Sequence, residues 1–288
     1  MIKKGIILAG GSGTRLSPLT KSVNKQLLPI NDKPMIFYPL SVMMLANIRD
    51  ILLIVNPGQK NNFNNLLGNG SRFGVKIEYI VQDKPRGLPD AFVLGKKFIN
   101  NQNVALILGD NFFYGQSLAK ILEKSSQHKN GAKIFLKEVT RPENYGVAKI
   151  KKNKIIKIIE KPKKFVSNQA ITGLYFFDKN VVKFSETLKP SKRGEVEITD
   201  LIKNYQKNKK LSFEKIGRGA IWSDAGKIKD LNNVSNYVKS VEEVQGIKIA
   251  CLEEIALKKN WINRKNISQS IKFYGNCDYS IYLKQLLV

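Results

Sequence analysis

Short, wholly apolar runs recur through the first half of the chain, separated by stretches whose apolar positions return every three or four residues. Residues 2–9, centred on Ile6-Ile7-Leu8, read as a buried strand, as do residues 51–55 and 104–108. Residues 76–81 alternate like a half-buried strand, whereas residues 35–46, 62–67 and 91–99 carry helical spacing. Strand and helix alternating at this interval predict a mostly parallel sheet with helices on both faces. Ligands of such sheets bind beyond the carboxyl ends of the strands, which directs attention to the segments just after Leu8, Val81 and Leu108.

The middle of the chain changes character. Residues 133–137, 148–150, 155–159 and 172–177 are short strands, and Lys151-Lys152-Asn153-Lys154 is a hairpin turn. Helices are expected at residues 181–187 and 198–208, then a strand at 212–216 and a turn at Gly217-Arg218-Gly219. From Lys229 onward the pattern is mostly helical, including residues 234–244 and 252–259. With no internal repeat, low-complexity tract or linker, the expectation is an α/β unit over residues 1–240 and a helical segment over 241–288.

Composition narrows this picture. The 288 residues suffice to bury a large core, and no apolar run approaches the roughly 20 residues that span a bilayer. Cys251 and Cys277 are the only cysteines and lack metal-site spacing. With no signal-peptide pattern at the start of the sequence, they are expected to be reduced thiols in a cytoplasmic protein. The 49 Lys+Arg against 23 Asp+Glu give a net charge of +26, which raises nucleic acid as a partner. The excess is spread over both halves, and only eight of the basic residues are the arginines whose fork suits base and phosphate readout. Solvated lysine faces account for the charge, so neither a specific nucleic acid nor a membrane is expected as a partner.

Gly10-Gly11-Ser12-Gly13-Thr14-Arg15 comes directly after the first strand. Its glycines let the backbone take positive φ and turn successive N–H groups toward phosphate oxygens. Two familiar phosphate loops do not fit. A Walker A loop needs Lys-Ser/Thr after its last glycine, where this chain has Thr14-Arg15. The dinucleotide fingerprint needs a third glycine, where this chain has Leu16 and then Pro18.

The continuation through Arg15, Pro18, Thr20, Lys25 and Pro29 resembles the signature of the sugar-phosphate nucleotidylyltransferases. Lys25-Gln26-Leu27-Leu28-Pro29 looks most like the glucose-1-phosphate thymidylyltransferase branch. Further segments fall in that family's order: Lys33-Pro34-Met35, Tyr38-Pro39-Leu40, Gly109-Asp110-Asn111, Tyr145-Gly146-Val147, Glu160-Lys161-Pro162, Thr172-Gly173-Leu174-Tyr175, Arg193-Gly194-Glu195 and Glu197-Ile198-Thr199-Asp200. The resemblance spans essentially the whole chain. It implies a Rossmann-like, mostly parallel sheet flanked by helices, with a small antiparallel sugar-binding insertion and a helical C-terminal segment.

The implied reaction is attack of a glucose 1-phosphate oxygen on the α-phosphorus of dTTP, giving dTDP-glucose and pyrophosphate, the first step toward dTDP-rhamnose and other deoxysugars. The attacking phosphate is already an anion, so the protein must supply charge neutralisation and alignment rather than a nucleophile. Arg15, a fork, and Lys25, a point charge, are the catalytic candidates. Nucleotide contacts are implied for Leu8, Gly10, Gly11, Gly13, Thr14, Arg15, Lys25, Gln26, Gln82 and Gly87, and sugar contacts for Asn111, Gly146, Glu160 and Ile171. Asp110, just past a buried strand, and Asp224 are the implied Mg2+ ligands. The family usually has threonines where Ala225 and Lys227 stand, a departure beside the second ligand. Tyr114, Gly115, Gly219, Cys251, Glu254 and Ile255 match a second nucleotide-sugar site, which implies feedback inhibition by dTDP-rhamnose; a homotetramer is implied as well. The competing readings are a uridylyl- or cytidylyltransferase of the same fold, and an RNA-binding α/β protein. The second leaves Arg15, Lys25, Asp110 and Glu160 without a purpose.

Overall fold

Alternation along the first strand decides how the molecule is layered. In the computed structural model, which describes residues 1–192 and 194–288, β1 spans Lys4–Ala9 and sends Ile7 and Ala9 to one face and Ile6 to the other. The hairpin strands β2 (Pro29–Ile30) and β3 (Lys33–Pro34) come next, then α1 (Phe37–Leu45), β4 (Asp50–Val55), α2 (Lys60–Leu67) and β5 (Lys76–Val81). After them stand α3 (Asp90–Leu94), α4 (Lys96–Ile99), β6 (Val104–Leu108), β7 (Asn111–Gly115) and α5 (Leu118–Ser126). The middle holds β8 (Ala132–Glu138), β9 (Gly146–Lys151), β10 (Lys154–Glu160) and β11 (Gln169–Phe177). The chain finishes with α6 (Val181–Glu186), α7 (Ile198–Lys207), β12 (Leu211–Ile216), β13 (Ala220–Asp224), α8 (Ile228–Gln245), α9 (Leu252–Lys258), α10 (Arg264–Tyr274) and α11 (Asp278–Gln285).

Strands β6, β1, β4 and β5 lie side by side and parallel, as their buried, alternating apolar residues predict. Strand β11 runs antiparallel to β6 and joins this parallel block to β8, β9 and β10, so the middle strands extend the same nine-stranded sheet. One face packs Ile7, Leu53 and Ile107 under α1, α5 and the C-terminal helices. The other packs Ile6, Leu52, Ile54 and Leu106 under Phe92, Ile99, Val181 and Leu201.

Several expectations shift on contact with the structure. The helix expected over residues 91–99 is broken into α3 and α4 at Gly95, a poor helix former whose added Cβ would lie 2.9 Å from the Ala91 carbonyl oxygen and 3.1 Å from Ile6 and Leu52. No strand or helix is expected from the local pattern where β7, β13 and α5 form. β7 and β13 pair only with each other, a long-range ladder that no local period announces. Helix α8 runs through position 240, and Leu252, Ala256, Ile267 and Tyr279 share a core with β1 and α1. Arg193, quoted within one motif, lies outside the described residues.

A buried ion cluster ties the β2–β3 hairpin to α8. The Lys33 side chain is 1% exposed; it donates to Glu242 at 2.8 Å and to Asp32. Glu242 also accepts from the Ile249 N–H at 2.8 Å and from Asn31 Nδ2 at 3.1 Å. Replacing one partner of a buried pair strands the other charge, so Glu242→Ala is expected to lose about 3 kcal/mol of unfolding free energy, read from chemical denaturation.

Candidate active site

The loop after β1 is clamped by two side chains, Asn56 and Thr20. Gly11 and Gly13 have φ of 95° and 61°, conformations that favour glycine. Asn56, just beyond β4, accepts from the Gly11 N–H at 3.1 Å and donates to the Gly11 carbonyl at 2.8 Å. Thr20 Oγ1 donates to the Gly13 carbonyl at 2.9 Å, and a Cβ on Gly13 would meet Thr20 at 2.8 Å. A cavity of 190 Å³ opens here, lined in part by Gly11, Ser12, Thr20, Lys25 and Asn56.

Asn24 starts the next turn, its side chain accepting from the Gln26 N–H at 2.9 Å, and this aims Lys25 at Asp110. The Lys25 ammonium pairs with Asp110 Oδ2 directly beyond β6. Burial pushes the Asp110 carboxyl up, but the Lys25 charge and the hydrogen bonds from Lys25 and Asn111 outweigh it and hold the group below the ordinary carboxylate value. Asp224, at the end of β13, behaves oppositely. Burial raises it, and the Asp110 charge adds to the rise, against the opposing hydrogen bond from Tyr145. Past Asp224 the Ala225 N–H donates to the Asp110 carbonyl at 2.9 Å, and a Cβ on Gly226 would lie 3.0 Å from Arg15 Nη2 and 3.7 Å from Lys25 Nζ. Arg15, Lys25, Asp110 and Asp224, far apart in sequence, therefore meet at the carboxyl edge of the parallel block.

Two partly buried carboxylates, one raised by the other's charge, form a donor set that suits a hard divalent cation, whose charge would relieve their repulsion. Among the described residues no group of three or more His, Cys, Asp or Glu gathers as a metal site, so the donor set here is the pair alone. Ala225 and Lys227 put no hydroxyl beside Asp224; the Ala225 side chain is buried instead in the apolar cluster with Leu16, Leu28 and Leu231.

The remaining sequence candidates fall into three groups. Gln26 and Gln82 converge on Gly10. Gln26 Nε2 donates to the Gly10 carbonyl at 3.2 Å with its Oε1 buried and unpartnered, while Gln82 Nε2 donates to Asp90 and its Oε1 lies 3.3 Å from where a Gly10 Cβ would be. Leu8 is the penultimate residue of β1, its carbonyl accepting from the Gly109 N–H, and Thr14 is exposed at the turn after the loop. Gly87 has φ of 109° and bridges Val196, where a Cβ would overlap the Val196 carbonyl at 2.1 Å. Gly146, Glu160 and Ile171 form the second group. Gly146 pairs with Glu160 across β9 and β10, and its Cβ position lies 3.0 Å from Glu160 Oε2 and 3.8 Å from Ile171. Asn111, the fourth of the sugar candidates, is 1% exposed, and its amide is engaged with Asp110, Gly173 and Trp222. In the third group Tyr114, Gly115, Glu254 and Ile255 line a separate cavity of 480 Å³. Gly219 abuts Gly115, whereas Cys251 is buried beneath, accepting from the Tyr279 hydroxyl. Asn56 and Asn24 are site residues that sequence reasoning misses, because single asparagines in loops carry no local signal. Thr199, quoted within a motif without a role, is brought by the fold, with its unpartnered buried hydroxyl, against Gly146.

A glycine loop, an Arg/Lys pair and two converging carboxylates at the end of a parallel sheet define a protein that handles phosphoanhydrides. The Nucleotidyl transferase family pattern matches residues 4–241, and the chain belongs to that family. Along its full length it is similar to two proteins named glucose-1-phosphate thymidylyltransferase. That of Neisseria meningitidis is 48% identical over 285 residues, covering 99% of both chains. That of Xanthomonas campestris is 46% identical, covering 99% of this chain and 97% of the other. A crystal structure from Bacillus anthracis, titled as a putative glucose-1-phosphate thymidylyltransferase with sucrose, superposes with a TM-score of 0.76 at 40% identity, covering 81% and 94% of the two chains. A UDP-glucose pyrophosphorylase bound to UDP-glucose is more distant, at 26% identity and TM-score 0.73, covering 83% and 99%.

Lys25→Met is expected to lower nucleotidyl transfer by on the order of 10²–10³-fold, measured as pyrophosphate release. It also removes the cation that holds Asp110 below its ordinary value. In the parent that pairing contributes stability above the ordinary carboxylate range, and the contribution is lost as pH falls through the lowered value. In the variant burial is opposed only by the Asn111 and backbone hydrogen bonds, so this contribution shrinks. The stability gap between the two proteins, from urea midpoints, should therefore be wider at about pH 8 than at about pH 4.

Proposed function

We infer that this chain is a glucose-1-phosphate thymidylyltransferase, converting dTTP and α-D-glucose 1-phosphate to dTDP-glucose and pyrophosphate. The observation that carries the reading is the meeting of Arg15, Lys25, Asp110 and Asp224 beyond β1, β6 and β13, in a chain similar over its full length to enzymes of that name. In this reading the triphosphate lies along the Gly10–Gly13 turn, with Arg15 and Lys25 countering the charge that gathers on the bridging and leaving oxygens. The glutamines Gln26 and Gln82 face the pyrimidine edge, and Glu160 accepts from sugar hydroxyls.

Asp110 and Asp224 are the residues to hold Mg2+. A divalent cation bound there supplies charge neutralisation at the reacting phosphates. Lys25 keeps Asp110 ionised so that it remains a ligand, and Tyr145 holds one oxygen of Asp224. The 480 Å³ cavity is proposed as a feedback site for a nucleotide-sugar end product such as dTDP-rhamnose, in a cytoplasmic homotetramer. Among the described residues no helix is long and apolar enough to cross a membrane.

Pyrophosphate release across a matrix of nucleoside triphosphates and sugar 1-phosphates, with and without Mg2+, tests the reading. The dTTP and glucose 1-phosphate pair should give the highest kcat/KM, and a matrix with no reacting pair, or with UTP preferred, overturns it. The metal assignment makes a separate demand. A proton on Asp224 competes with the cation until pH passes that group's raised value, so the half-saturating Mg2+ concentration should fall as pH rises from the ordinary carboxylate range toward neutrality. A flat profile counts against Asp224 as a ligand.

A further inference from the structure

Each of the two carboxylates is oriented by a neutral donor outside the Arg/Lys pair, and the two donors are linked through one indole. Asp110 Oδ1 accepts from Asn111 Nδ2 at 2.9 Å. The other end of that amide is locked, because Asn111 Oδ1 accepts from the Gly173 N–H at 3.0 Å and from Trp222 Nε1–H at 2.6 Å. With two donors aimed at Oδ1, turning the amide over would set N–H against N–H and oxygen against the Asp110 carboxylate. Only one orientation satisfies all four groups. Asp224 Oδ1 accepts from the Tyr145 hydroxyl at 3.2 Å, and the Tyr145 ring packs on Trp222 with centroids 5.1 Å apart and planes at 59°. The β7–β13 ladder makes this possible by pairing Asp224 with Asn111 and Trp222 with Phe113.

We propose that Trp222 and Tyr145 are positioning residues for the cation site, Trp222 acting on Asp110 through Asn111 and Tyr145 acting on Asp224 directly. This rests on Asp110 and Asp224 being the cation ligands. A carboxylate gripped by a neutral donor is fixed in direction before the cation arrives, Asp224 with one oxygen held and Asp110 with Oδ1 held by Asn111 and Oδ2 facing Lys25, so less ordering is left to occur. Asn111 thereby serves Asp110, its amide oxygen engaged twice and one of its two amide hydrogens given to the carboxylate.

Binding of Mn2+ to the protein alone, followed by the loss of the free-ion signal in electron paramagnetic resonance, tests this without turnover. Trp222→Phe keeps an aromatic ring beside Tyr145 and deletes the N–H; Tyr145→Phe deletes only the hydroxyl. Each is expected to weaken Mn2+ binding about 10-fold, with the thermal midpoint unchanged and the KM for sugar phosphate at saturating metal within about twofold of the parent. Variants that bind Mn2+ like the parent while the sugar-phosphate KM rises overturn the proposal and leave both rings as sugar-side walls. Should Trp222→Phe lower the thermal midpoint, the Tyr145→Phe comparison decides. Parent protein that binds no Mn2+, or an Asp110→Asn variant that binds it undiminished, overturns the cation site itself and the proposal with it.

Discussion

The pairing of Lys25 with Asp110 is the contact on which the site depends. It joins the loop after β1 to the end of β6, two adjacent parallel strands, and closes the gap between them with opposite charges. Neither group would be stable there alone. A lysine 8% exposed needs an anion, and at Asp110 the ammonium, with the Asn111 and backbone hydrogen bonds, outweighs the desolvation of the carboxylate. Once that contact is made, the Gly10–Gly13 turn, the Asn24 cap and the Gly226 approach to Arg15 all have a fixed point to be built around.

Below this point the sheet supplies rigidity and the loops supply chemistry. Burial on both faces immobilises β1, β4 and β6, so their carboxyl ends present Leu8, Asn56 and Asp110 at fixed separations. The small β7–β13 ladder stands beside that edge and brings a second carboxylate to the first. It carries the hydrogen bonds from Trp222 to Asn111 and from Asn111 to Asp110. The C-terminal helices share the core of β1 and help build the 480 Å³ cavity beside α1, with Tyr282 donating to Glu254 at 2.7 Å. Lys248 lines that cavity and belongs to the ion cluster of Lys33 and Glu242, which links it physically to the hairpin just after Lys25.

The net charge of +26 bears little on any of this. Salt bridges such as Lys76 with Glu78 and Lys96 with Glu186 are exposed, and pairs of that kind contribute little to stability. The cations that matter are distinguished by burial and by the groups they face: Lys25 at Asp110, Lys33 at Glu242.

Local pattern is enough to read the parallel strands, because a strand buried on both faces must be apolar along its length, as in residues 104–108 and 51–55. It is also enough to read the glycine turn with Arg15 and Lys25, because their spacing lies within one loop. The break at Gly95, the β7–β13 ladder, the Asn56 clamp and the hold of Gly173 and Trp222 on the Asn111 amide are not legible there. Each depends on a partner far along the chain, and neither period nor propensity encodes distance across a fold. The sequence by itself determined the sheet, the phosphate-facing loop and the types of charged group available. Tertiary structure alone decided which carboxylate meets which cation and which amide turns toward which oxygen, because desolvation and hydrogen-bond direction exist only once the strands have brought those groups together.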